Sequence, residues 1–148
     1  DLRDDYMGEK LSHASVIKRI YDMVGRDKIY QFCIRSGEKD EFSYHEKGIF
    51  QEKFKFTKLE EIIEKIKGRP VYVTIDLDVL DPSIFSGTGT PEAGGINFHE
   101  MLDLIKVLKN AKIVGADVVE LSPHYDQSGV STAVACKIIR ELTFAILK

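Results

Sequence analysis

Three features of this 148-residue sequence encode an α/β architecture with a mainly parallel sheet. Short β-branched and aromatic runs alternate with segments of helical period, and the connections between them are brief, as in βαβ units. Gly/Pro-rich stretches follow where the runs stop, which is where open α/β sheets gather their ligand crevices.

The elements follow in order. Residues 13–24 repeat apolar side chains at 16, 17, 20, 23 and 24, which is helical spacing, and Gly25 is a stop signal. The run "KIYQFCIRS" (28–36) is β-branched and aromatic and predicts a strand. Thr57 and Glu60 have the spacing of a capping box ahead of Leu59, Ile62, Ile63 and Ile66, and Gly68 and Pro70 end that helix. "VYVTI" (71–75) is nearly uninterrupted β-branched sequence, as in a strand covered on both faces. Asn97 and Glu100 suit the N-cap and third position of a helix over 97–110. A strand is predicted over 112–121. The final helix, about 129–147, is apolar nearly all round and is expected to be buried on more than one side. Three strands alone leave apolar sheet edges open, so further sheet is expected from elsewhere.

Composition narrows the function classes. A 43% apolar share with 30% charged residues is that of one folded domain with its own core. No apolar run approaches the roughly 20 residues of a membrane span, and the opening "DLRDDYMGEK" is too acidic for a targeting peptide, so a cytoplasmic protein is expected. A net charge of −3 without basic blocks argues against nucleic acid as a partner. Cys33 and Cys136 sit in apolar surroundings without metal-ligand spacing, and both are expected to be buried, reduced thiols. The chain opens at Asp1 within a charged segment, with no strand before it, which suggests a cut chain.

The stretch "VTIDLDVLDPSIFSGTGTPEAGG" carries the chemistry. Alternation along a strand puts Asp76 and Asp78 on one side at its end, with Leu77 turned into packing. Adjacent carboxylates repel unless one is protonated or a cation lies between them, and hard oxygen ligands suit Mg²⁺, Mn²⁺ or Ca²⁺. A bare D-x-D also occurs as an ordinary loop cap, but the following Gly/Thr/Pro loop can bring backbone close to an ion or substrate. Glu120 stands where the second parallel strand runs out. Such a residue is either a surface charge or a partner for a cationic group. His13 opens the first helix, where the imidazolium is disfavoured, which makes it a candidate for proton transfer or a simple surface residue. His45, His99 and His124 lack ligand spacing and are read as structural or solvated. Phosphoryl transfer on the D-x-D finds no support, since there is no P-loop and no basic cluster near the crevice.

"DLRDDYMGEKLSHAS", "IDLDVLDPSIFSGTGTPEAGG" and "GADVVELSPHYDQSGVSTAVA" together resemble the ureohydrolases, the arginase and agmatinase family, and most of all its agmatinase branch. The resemblance implies a three-layer α/β/α fold, two Mn²⁺ ions per active site, trimers or hexamers, and hydrolysis of a guanidino group to urea and an amine. For agmatine the amine is putrescine, a step of polyamine biosynthesis. By the same resemblance Asp1, Asp76 and Asp78 are metal ligands, with Asp76 bridging the ions. Glu120 pairs with the guanidinium and His13 shuttles protons. The family's Gly-Gly-Asp-His segment and the Asp and His of Asp-Ala-His-x-Asp are absent. Residues 1–148 are therefore expected to form the C-terminal part of a single catalytic domain, holding half of its ligands. Asp4, Asp5 and Glu9 outweigh Arg3 and Lys10 in the loop before His13, and Asp4 and Asp5 are expected to attract the ammonium end of agmatine. Arginase, guanidinobutyrase, formiminoglutamase or a metal-binding module without turnover are the alternatives.

Overall fold

The structure, a computed structural model, describes residues 1–147, and its strands pair in two parallel sets within two separate units, Asp1–Lys53 and the chain from Phe54 onward.

In the first unit a tight turn joins Tyr6 to Glu9, and a 3₁₀ turn over His13–Ser15 leads into α1 (Val16–Val24). Gly25, at φ 76°, ends α1 where a side chain would be strained. β1 (Tyr30–Ile34), α2 (Lys39–Phe42) and β2 (Phe50–Lys53) follow, and β2 lies parallel to β1 with Tyr30 opposite Phe50. The register slips between Phe32 and Ile34, at Cys33 with φ 60°. Leu2, Tyr44 and Ile49 form the core, with Ile17 and Tyr21 packed against it, while Val16, Met23 and Val24 of the predicted apolar stripe are exposed.

The second unit holds α3 (Leu59–Lys65), β3 (Pro70–Asp76), α4 (Phe98–Leu108), β4 (Lys112–Val119) and α5 (Val130–Ile146). β3, α4 and β4 form a parallel crossover unit in which Val73 faces Ala116 and Asp76 faces Val119. The capping box at Asn97 forms as predicted: its Oδ1 accepts from the amides of His99 and Glu100, and Glu100 Oε2 accepts from the Asn97 amide. The one predicted at Thr57 and Glu60 does not begin α3. Lys58 is the N-cap, at φ −92° and ψ 0°, and caps with no side-chain hydrogen bond. Entry through a turn, with Leu59 N donating to Phe56 O, replaces the extended N-cap that a capping box needs. Glu60 and Glu61 still place negative charge at the helix start.

Period 2 decides which face of β3 is buried. Val73 and Ile75 point into a core with Leu77, Leu80, Phe85, Met101, Ile105 and Ile138. The opposite face is open, against the expectation of burial on both sides. Tyr72 and Val114 are each 63% exposed there, and the hydroxyls of Tyr72 and Thr74 donate to Asp117. α5 departs in the same way. Ser131, Ala135, Ile138, Leu142 and Ala145 form one buried stripe, while Ile139 and Phe144 are exposed. Cys33 is buried as expected but Cys136 is exposed on α5, and neither forms a disulfide. Among the described residues no helix is long and apolar enough to cross a membrane.

Candidate functional site

β3 stops at Asp76 because the chain there enters a 3₁₀ turn over Leu77–Val79. Asp76 Oδ1 accepts from the Asp78 amide at 3.0 Å, so the two carboxylates meet through an Asp-capped turn rather than through the strand pleat. Leu77, only 1% exposed, anchors the turn in the core as expected. The strand register sets Asp76 beside Val119, and Glu120 is the next residue, at φ 66° in the left-handed region. The strand predicted over 112–121 thus ends two residues early, and Glu120 lies just past it. Burial, then the Asp78 charge and more weakly the Glu120 charge, push the Asp76 carboxyl up to about 7.

The loop after β3 is closed by Asp81. One oxygen accepts from the amide and hydroxyl of Ser83, and the other accepts from the Gly94 amide. These bonds hold its carboxyl at about 2. Asp-Pro-Ser is ordinary turn chemistry, but the return contact to Gly94, 13 positions on, has no local sequence mark. Gly95 is required at the closure, since a Cβ there would lie 2.5 Å from Asp81 N. Within this loop Thr90 Oγ1 donates to Asp78 Oδ2 at 3.3 Å. Thr88, 3% exposed, has a hydroxyl without a hydrogen-bond partner among the described residues.

The remaining candidates are placed by the first unit. His13 opens the 3₁₀ turn ahead of α1 rather than α1 itself, and its exposed ring makes a T-shaped contact with Tyr6, the ring centroids 5.3 Å apart. The Asp1 side chain is exposed, while its carbonyl accepts from Lys18 N. Asp4 is engaged by Arg19 Nη2 at 2.8 Å and Lys18 Nζ at 3.4 Å, and these partners hold its carboxyl below the usual range. Asp5 accepts from Gly8 N across the turn. The acidic excess expected of this loop is therefore partly cancelled by two cations from α1, which no local count of the loop includes.

The second unit by itself brings together Asp76, Asp78 and Glu120. Among the described residues no group of three His, Cys, Asp or Glu side chains is arranged to hold a metal ion. The Asp76–Asp78 pair nonetheless fits part of a divalent-cation site. A partly buried carboxylate facing two others is destabilised as an anion, and a bound cation removes that cost.

A sequence model of the arginase family matches residues 1–145. Agmatinase of Bacillus anthracis is 47% identical over 153 residues, a match spanning 100% of this chain and 52% of that protein. Among solved structures, a Clostridium difficile protein with the provisional name agmatinase superposes with a TM-score of 0.94 at 53% identity, covering 98% of this chain and 54% of its own. The agmatine ureohydrolase of Thermoplasma volcanium gives a TM-score of 0.83 at 32% identity, covering 98% of this chain and 51% of its own. The chain spans about half the length of the curated relatives it matches.

Proposed function

The chain belongs to the arginase family, and from that premise we propose that these residues are the C-terminal part of one catalytic domain whose full-length protein hydrolyses agmatine to putrescine and urea. The observation that carries the proposal is the meeting of Asp76, Asp78 and Glu120 at the ends of two parallel strands, with the Asp76 carboxyl raised by burial and by its neighbours. Asp76 and Asp78, with Asp1, are the residues of this chain that would hold two Mn²⁺ ions. When bound, such ions supply Lewis acidity and lower the pKa of water toward neutrality.

The chain's own residues do the rest. Glu120 offers two oxygens to paired N–H groups of a guanidinium, which orients a planar, resonance-stabilised and poorly electrophilic carbon. Thr90 steadies Asp78 through its hydroxyl. His13, in T-shaped contact with Tyr6, is the group that delivers a proton to the departing amine, which leaves readily only when protonated. Asp5, with Asp4, is the group assigned to the distal ammonium of agmatine. The pairing of Asp4 with Arg19 and Lys18 favours a second reading within the family, in which another guanidino compound is the substrate.

The test is made in the full-length protein. Asp76→Ala and Asp78→Ala should each abolish urea release and lower manganese content, with circular dichroism unchanged. Full manganese content together with normal turnover in Asp76→Ala would refute the proposal.

A further inference from the structure

We propose that Ser131 is a positioning residue for Glu120, acting through a hydrogen-bonded buckle that ties the loop after β3 to the loop after β4. The proposal rests on the role given to Glu120 above.

Ser131, in the first turn of α5, is 1% exposed. Its Oγ accepts from the Gly87 amide at 2.9 Å, and the Gly87 carbonyl accepts from the Ser122 amide at 2.7 Å. The Ser131 amide in turn donates to Asp126 Oδ2 at 2.7 Å. The other Asp126 oxygen accepts from the amide and hydroxyl of Ser128. The ring thus runs from the loop carrying Thr88 and Thr90, through α5, to the loop that follows Glu120. Only glycine permits the approach at residue 87, because a Cβ there would stand 2.8 Å from Ser131 Cβ and 3.1 Å from Asp126 Cβ.

Glu120 gives the buckle its meaning. A glutamate at φ 66° is strained by on the order of 1 kcal/mol, and such a conformation persists only where its surroundings over-determine it. Two anchors flank it. Val119 is paired with Asp76 in the strand ladder, and Ser122 is bonded to Gly87. Both anchors lead back to the stretch of chain that carries Asp76 and Asp78. The carboxylate of Glu120 is therefore referenced twice to the aspartate pair, once by the ladder and once by the buckle. Without the second tie the left-handed turn can relax, and the guanidinium partner moves relative to the aspartates.

The experiment compares full-length protein with its Ser131→Ala variant by amide hydrogen exchange and by steady-state kinetics on a guanidino substrate. In the unmutated protein the amides of Gly87 and Ser122 should exchange as slowly as those of the β3–β4 ladder. In Ser131→Ala those two should lose protection while the ladder keeps it. In the same variant kcat/KM per folded molecule should fall about tenfold or more, with metal content per chain unchanged. A purely structural role would lower the melting temperature and leave kcat/KM alone, and that result overturns the proposal. Fast exchange of either amide in the unmutated protein also overturns it. If Ser131→Ala does not fold, Asp126→Asn, which keeps the side-chain shape, should shift the same two amides and the same rate constant less strongly, and no shift in either refutes the buckle. Absence of turnover on any guanidino compound defeats the ureohydrolase reading, whereas the exchange pattern still decides whether the buckle holds the Glu120 turn.

Discussion

Replacing Asp76 by asparagine in the full-length protein stripped of metal should make it more stable at neutral pH. The Asp76 carboxyl is raised from 3.8 to about 7, by burial first and by the Asp78 charge second. Between those values the folded state keeps a proton that the unfolded state has released. Stability from this group is therefore complete below pH ~4 and declines as pH rises to about 7, by up to about 1.4 kcal/mol per unit. The full window corresponds to about 4 kcal/mol, which partial solvent contact of Asp76 reduces to the order of 2 kcal/mol. Asp76→Asn cannot ionise and escapes the decline. Thermal unfolding of both proteins in a chelator, from pH 4 to 8, should show curves that coincide at the acid end and diverge by a few degrees at the neutral end. Carboxylates held low in the fold, such as Asp4 and Asp81, bias both proteins in the opposite direction and cancel in the difference. Saturating manganese should stabilise the unmutated protein increasingly as pH rises. Parallel curves in the chelator, or an asparagine variant less stable at pH 7.5, would refute the electrostatic account of the aspartate pair.

Two other predictions concern single groups. Asn97→Ala removes the acceptor for two amides at the start of α4 and should lower stability by about 1 kcal/mol, read as a shift in the urea midpoint without a change of slope; an unchanged midpoint would contradict the cap. Asp5→Asn should narrow the preference for agmatine over arginine more than Asp4→Asn does, because Arg19 and Lys18 already neutralise Asp4; the reverse order in kcat/KM ratios would place the substrate's ammonium elsewhere.

Local chemistry made some of this molecule legible and hid the rest. The Asn97 box depends on residues three apart and forms as the spacing says, whereas the same spacing at Thr57 fails because the chain enters α3 through a turn. β2 has no sequence mark, since Gln51, Glu52 and Lys53 carry no apolar alternation and only pairing with β1 makes them a strand. The D-x-D at the end of β3 marks Asp76 and Asp78, but strand alternation ends with the strand, and their meeting depends on a capped turn. A left-handed glutamate has no sequence mark, and neither has an ion pair between Asp4 and Arg19 across 15 positions. The apolar faces of β3 and α5 suggested burial on all sides, and within these residues each buries one side.

The central claim is most directly tested by measuring urea and putrescine release from agmatine, beside urea release from arginine, with the manganese-loaded full-length protein. The account predicts stoichiometric urea and putrescine from agmatine, at a kcat/KM far above that for arginine. Equal or faster turnover of arginine would contradict the agmatine assignment, and no urea from any guanidino compound would contradict the ureohydrolase chemistry itself.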